Sequence, residues 1–216
     1  VQSRPSNTGP RAGEAELAEK WRGARGGEDW RSRRWGGRAR AARDPAAVVH
    51  LLARGAGHGV RVLDAACGTG RLRAALLDAG HTWCGLDVSF DQLAAGSGPR
   101  VLASALRMPL RDASVDAVVA CRFLHHLADE ALFTAAVREL VRVARTFVVA
   151  SYWDRATWPY LLRRGPRDRS GRVARSEAEV RAAFAEAGAP VVCVHRPVWR
   201  WSAQTFVLAE RSDRRA

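Results

Sequence analysis

Five residues, Ala66-Cys67-Gly68-Thr69-Gly70, follow the apolar run Val60-Arg61-Val62-Leu63-Asp64-Ala65 and precede a helical pattern. Glycines 68 and 70 carry no side chain that would keep a ligand from the backbone, and the start of a helix offers unpaired N–H groups. Asp87 closes the next apolar run, Trp83-Cys84-Gly85-Leu86, seventeen positions after Gly70. A carboxylate there suits a ribose diol, whose two hydroxyls can donate to its oxygens. The pattern describes a nucleoside-bearing ligand held at the carboxyl end of a sheet.

A dinucleotide fold satisfies the same description, so the choice depends on what else the turn contains. The nicotinamide fingerprint requires a third small residue three positions after the second glycine, and this chain has Arg73 there. Asp64, four residues before Gly68, brings a carboxylate toward the pocket. It would repel a pyrophosphate but could orient an amino group or a sulfonium. Both differences favour a phosphate-free, cationic adenosyl ligand.

Elements of alternating kind must position these residues. Val48, Leu51 and Leu52 share a stripe in a covering helix over 44–54, and glycines 55, 57 and 59 end it. A buried strand over 60–66, a helix over 71–79 and a strand ending at Asp87 follow. A weak helix near 91–95, a short strand at 101–103 and a strong strand over 115–121 continue the alternation. Leu132, Phe133, Ala136, Val137, Leu140 and Val141 give the next helix an apolar face, before a β-rich run from Thr146. Ser176 and Glu179 form a capping box, and two closely spaced strand patterns, 191–198 and 204–211, finish the chain. This order predicts an α/β fold with a mainly parallel sheet covered on both faces.

With the turn in place, the segment Val62 to Arg71, VLDAACGTGR, and Cys84 to Ser89, CGLDVS, resemble the first two motifs of class I S-adenosylmethionine-dependent methyltransferases of the UbiE-like, methyltransferase 11 type. The likeness continues through Ser104 to Leu110, SALRMPL, Asp112 to Val119, the segment RFLHHL and the helix ending VRVAR, so it spans about residues 47–153. It implies a Rossmann-like, mainly parallel seven-stranded sheet with an antiparallel edge strand, and S-adenosylmethionine as cofactor. By that resemblance Asp64 and Gly68 to Gly70 surround the methionine moiety, with Ala66, Cys67 and Thr69 in the same turn. Asp87 holds the ribose, Val88 packs on adenine, Ser104 and Ala105 meet its edge, and Cys121 ends the fourth strand beside the pocket. The chain departs from the family at Ser104, where an acidic residue is common, and at Arg145-Thr146, where a glycine-rich turn is usual.

Methyl transfer needs few catalytic side chains, but an acceptor hydroxyl or protonated amine needs a base, and histidine can serve near neutral pH. His126 is the candidate base, and its plain alternative is packing or capping beside His125 after strand four. Trp30, Trp35, His125, Tyr152 and Trp153 are the candidate acceptor-binding residues, and each aromatic has the alternative of a packing anchor. Trp199 and Trp201, between the last two strands, read as packing residues. Arginines 163, 164, 167, 169, 172 and 175 form either a basic loop over the site, fitting an anionic acceptor, or a solvated surface. Cys67 and Cys84 read as small packed residues, Gly85 as a turn, and Asp116 as a cap on its strand.

The net charge of +13 excludes less than it suggests, because Lys20 is the sole lysine and arginines occur along the whole chain. Coding bias accounts for that usage better than a polyanion site, so nucleic acid is not the expected partner. Four scattered cysteines offer no metal-ligand spacing, so no metal is expected. No run is apolar enough to span a membrane and no signal peptide is legible, which leads to the expectation of a cytoplasmic protein. Residues 1–28 read as a disordered tail and 29–212 as one methyltransferase domain, with a lid over 29–46 and an acceptor-side loop over 154–175. The expected function is methyl transfer to a small-molecule or lipid-precursor acceptor. RNA methylation and a catalytically inactive cofactor-binding scaffold are the alternatives.

Overall fold

The computed structural model describes residues 38–162 and 171–212, together with Glu19. The expected tail over 1–28, Trp30, Trp35, the first part of the expected lid, and arginines 163, 164, 167 and 169 lie outside the described residues.

Helix α1 (Arg38–Gly55) leads into β1 (Arg61–Ala65), α2 (Arg73–Asp78), β2 (Thr82–Asp87), α3 (Phe90–Ala94) and β3 (Arg100–Leu102). The second half comprises β4 (Val115–Ala120), a 3-10 turn (Leu124–His126), α4 (Glu130–Val143), β5 (Ala144–Asp154), α5 (Trp158–Leu161) and β6 (Ala174–Arg175). Helix α6 (Glu177–Glu186), β7 (Val191–His195), a second 3-10 turn (Trp199–Trp201) and β8 (Gln204–Glu210) complete it. The sheet runs β3-β2-β1-β4-β5-β8-β7, with β6 paired to the end of β5. Strands β1 to β6 pair in parallel, whereas β8 runs antiparallel to both β5 and β7. The architecture is the Rossmann-like one expected. The antiparallel strand lies one place in from the rim, and β6 makes an eighth.

Strand alternation sends side chains to two cores, one on each face of the sheet. On one face, Val48, Leu51 and Leu52 of α1 are fully buried and pack with Val62, Val119, Phe147, Val149, Phe206 and Leu208. Closure there is tight, because a Cβ on Gly55 would stand 3.0 Å from Phe147 and 3.1 Å from Leu208. On the other face Phe133, Ala136, Val137 and Leu140 of α4 cover Leu63, Val118 and Val148. Phe133 is fully buried, so its truncation to alanine would cost about 3–5 kcal/mol.

Helix α1 starts six residues before the expected Asp44, because 38–43 is Arg-Ala-Arg-Ala-Ala-Arg. Those residues favour helix without presenting an apolar stripe, so periodicity does not reveal them. Between α4 and β5 there is no loop: Ala144 caps the helix in extended conformation and is itself the first strand residue. The Arg211 guanidinium donates to the carbonyls of Val141 (3.2 Å) and Ala144 (3.1 Å), supplying partners a capping turn would otherwise provide.

Asp116 does more than cap its strand. Its carboxylate accepts from the Arg61 N–H (2.9 Å) and guanidinium (2.9 and 3.1 Å) and pairs with Arg145 at 3.2 Å. These bonds tie β1, β4 and β5 together at their amino ends, which leaves the carboxyl ends for the site. No helix among the described residues is long and apolar enough to cross a membrane.

Candidate functional site

Strand β1 has β2 on one side and β4 on the other, so the chain order reverses between β1 and β4. A crevice opens outside the carboxyl ends of strands at such a point. Two non-glycine residues in left-handed conformation flank it, Ala66 (φ 58°) after β1 and Arg122 (φ 61°) after β4. Such a conformation costs about 1–3 kcal/mol and persists only where the surroundings enforce it. Here Cys67 N–H donates to Leu86 (3.0 Å) just after Ala66, and Arg122 N–H donates to the Ser151 hydroxyl (2.7 Å).

Asp87 organises the turn. Its Oδ2 accepts the Gly68 N–H at 2.7 Å and its Oδ1 accepts the Ser89 N–H at 2.9 Å. Burial pushes this carboxyl above its usual range, opposed by the N–H groups of Ser89, Gly68 and Val88. Gly68 and Gly70 have φ of 57° and 80°, where a Cβ would be strained, so their choice reflects backbone shape as well as ligand access.

Trp83 supports the turn from below, a role absent from the sequence reading. A Cβ on Gly70 would stand 3.2 Å from its ring, and one on Gly85 would stand 2.7 Å from both that ring and Cys67 Sγ. Gly85 is therefore a packing requirement within β2 and not a turn, which corrects the expectation. The Trp83 indole donates to Asp64 Oδ2 at 3.2 Å. Asp64 is buried, and desolvation raises its pKa to about 7 against the opposing Trp83 hydrogen bond and Arg71 charge.

A second cluster escaped sequence reasoning because its members are far apart in the chain. Asp44 of α1, 1% exposed, receives Arg71 at 2.9 Å and Arg122 at 2.5 Å on the same carboxylate oxygen. Arg71 also donates to Cys121 Sγ at 3.4 Å. The cluster fastens α1 across the ends of β1 and β4. Burial pushes the Cys121 thiol up to about 12 and the Cys67 thiol higher still, so both remain protonated packing groups.

Of the remaining cofactor candidates, Val88 is half-buried and follows Asp87 directly, while Ala105 is buried. Ser104 opens a turn after β3, its hydroxyl accepting from Leu106 N–H at 3.2 Å. Ala103 N–H donates to the Asp87 carbonyl at 2.9 Å, which brings this segment alongside the β2 end.

The acceptor candidates separate. His125 and Trp153 stack with ring centroids 4.4 Å apart and planes at 1°, and the His126 ring lies 4.3 Å from His125. The Arg172 guanidinium stands 5.4 Å from the Trp153 ring, and Tyr160 is 5.8 Å from it. Tyr152 does not join this group. It points to the opposite face, into the core with Val180 and Phe184, at 1% exposure. Arg175 leaves the basic loop as well: it lies over the Phe133 ring at 3.8 Å and donates to the Leu127 carbonyl at 2.9 Å. Trp199 and Trp201 are not packed as expected, being 63% and 70% exposed, and Trp201 instead lies 6.2 Å from Trp158.

Residues 63–147 match the methyltransferase-domain family. The chain is 34% identical over 97 residues to a tRNA (carboxymethyluridine(34)-5-O)-methyltransferase from Arabidopsis thaliana, covering 43% of this chain. It is 37% identical over 90 residues to a demethylmenaquinone methyltransferase from Corynebacterium urealyticum, covering 40% of this chain. These matches span 24% and 38% of the respective relatives. The fold resembles magnesium protoporphyrin IX methyltransferase from Synechocystis PCC 6803 with bound SAH, at TM-score 0.73 and 20% identity over 92% of this chain and 99% of that one. It also resembles 1,6-didemethyltoxoflavin-N1-methyltransferase from Burkholderia thailandensis, at TM-score 0.68 and 18% identity over 97% and 93%. Over residues 63–147 the chain is thus similar to the S-adenosylmethionine-dependent methyltransferases of the UbiE-like, methyltransferase 11 type.

Proposed function

We propose that this chain transfers the methyl group of S-adenosylmethionine to a small-molecule or lipid-precursor acceptor. The observation that carries this reading is the Asp87 carboxylate drawing the Gly68 N–H to 2.7 Å at the end of β2, beside the crevice between β1 and β4. The described residues build one sheet, which supports treating 29–212 as a single methyltransferase domain.

The side chains present fit an adenosyl amino acid. Ala66, Cys67, Gly68, Thr69 and Gly70 would wrap its methionyl end, with Asp64 as the nearby carboxylate. Asp87 would hold the ribose hydroxyls, Val88 would pack on adenine, Ser104 and Ala105 would meet its edge, and Cys121 would wall the pocket. The cofactor supplies the electrophile, a methyl group on a sulfonium. The protein's share is position, orientation and exclusion of water.

Asp64, at about 7, gains its charge near neutrality, and a cation in the site would favour the ionised form. Trp153 would provide an aromatic wall beside the β4 and β5 ends, backed by the buried His125 ring. His126 would take the proton of an acceptor hydroxyl or ammonium. Turnover unchanged in His126→Ala, with cofactor still bound, would remove that role.

The RNA reading draws support from the tRNA methyltransferase relative, although that match covers 24% of the relative. Incubation with methyl-tritiated S-adenosylmethionine and separate small-metabolite and RNA fractions distinguishes the readings. Label is expected in the metabolite fraction. Label confined to RNA would establish the alternative, and label in neither would favour a scaffold.

A further inference from the structure

Gln204 opens β8 opposite Trp153 of β5 and is 4% exposed, yet neither its amide nitrogen nor its amide oxygen has a hydrogen-bond partner among the described residues. A buried donor and a buried acceptor left together carry the full cost of their lost hydration, and native interiors rarely tolerate that without a purpose. Two neighbouring polar groups are satisfied by contrast, Ser151 receiving Arg122 N–H at 2.7 Å and Asp154 receiving Arg196 at 2.9 Å, while the Tyr152 hydroxyl on the other face is not.

The surroundings of this amide are aromatic. Alternation along β8 puts Gln204 on the face shared by Phe206 and Leu208, and its cross-strand partner Trp153 lies on that same face. Trp153, half-buried, stacks on His125 at 4.4 Å, and His125 is a buried member of the turn after β4. Three residues before Gln204, Trp201 stands 70% exposed and 6.2 Å from Trp158, so an apolar rim adjoins the buried amide.

We propose that Gln204 determines acceptor specificity, and that the acceptor is a planar ring bearing a lactam-type edge, an N–H beside a C=O. A primary amide presents one donor and one acceptor side by side in a plane. A lactam edge answers both with two parallel hydrogen bonds, whereas a hydroxyl or an isolated ketone answers only one. The ring lies against Trp153, which His125 backs from within, and the flat apolar remainder meets the rim. A site built around such a pair rejects ligands that leave it unanswered, because the buried groups are then stranded. This inference rests on the methyltransferase reading, naming the acceptor class of that same site.

Calorimetry with 2-quinolinone, N-methyl-2-quinolinone and naphthalene, each with S-adenosylhomocysteine at saturation, tests it on the full chain. The lactam should bind at least about tenfold more tightly than its N-methyl form and than naphthalene. Gln204→Met, close in size, should bind S-adenosylhomocysteine as before and reduce that preference to within about threefold. Equal affinities in the wild type, absence of lactam binding, or a preference that survives in Gln204→Met would overturn the proposal. The wild-type comparison stands by itself should the variant fail to fold. If S-adenosylhomocysteine does not bind the wild type, the methyltransferase reading fails. If it binds and the probes are not discriminated, the specificity inference alone fails.

Discussion

The two halves of the crevice are built differently. Around β1 and β2, backbone N–H groups converge on one carboxylate, Asp87, and a tryptophan packed against two glycines fixes the turn. Around β4, β5 and β8, side chains make the structure: Trp153 on a buried His125, Arg172 near that ring, and a buried Gln204 amide with no partner among the described residues. A site made from backbone accepts one ligand shape, while a site made from side chains can change its ligand by substitution. On the proposed function, the first half would hold the cofactor and the second the acceptor.

Disrupting the backbone half should have the largest effect. Asp87→Ala removes both N–H acceptors of the turn and should weaken S-adenosylhomocysteine binding by about 100-fold or more, read by calorimetry. An Asp87→Ala protein that binds normally would show that the turn needs no clamp. Asp64 separates charge from shape. Its folded pKa of about 7 exceeds the ordinary carboxyl value, so the folded state binds the extra proton. The associated stability is fully present below about pH 4, is lost as pH rises to about 7, and totals roughly 4 kcal/mol. Asp64→Asn should flatten that slope in denaturant melts, while S-adenosylmethionine binding to the wild type should tighten over the same interval. Parallel slopes in wild type and variant would contradict the assignment.

Gly85→Ala should cost about 1–3 kcal/mol, because the new Cβ would fall 2.7 Å from Cys67 Sγ and the Trp83 ring. A melt within experimental error of wild type would show that Trp83 can shift. The smallest effect belongs to Tyr152→Phe. Its hydroxyl is buried on the core face without a hydrogen-bond partner among the described residues, so removal should change stability by less than about 1 kcal/mol and leave turnover alone. Trp153→Leu, one residue on and facing the crevice side, should lower kcat/KM by about tenfold. Similar kinetic losses in the two variants would erase the distinction between the faces.

The sequence made the backbone half legible because Gly68, Gly70 and Asp87 are close in the chain and their types follow from turn geometry. The alternation of strands and helices was readable for the same reason, since periodicity is local. What stayed hidden depends on distance. Asp44 meets Arg71 and Arg122 across 27 and 78 positions, and no local pattern announces that meeting. Gly85 looked like a turn because the Trp83 ring that excludes a side chain there folds back along its own strand. Tyr152 and Trp153 are adjacent aromatics that strand alternation must send to opposite faces, and only the packing of β5 in the sheet decides which of the two enters the core with Val180 and Phe184. The Gln204 amide sits at the start of a strand, where its residue type is ordinary, and its lack of partners among the described residues arises only from the packing of β8 against β5.

The most direct test of the central claim is a calorimetric titration of the full chain with S-adenosylhomocysteine, repeated on Asp87→Asn. The wild type should bind one equivalent, and the variant should bind at least about tenfold more weakly, since a neutral amide offers one acceptor oxygen to two N–H donors and a ribose. Absence of wild-type binding at millimolar ligand would contradict the account, as would an Asp87→Asn protein with undiminished affinity.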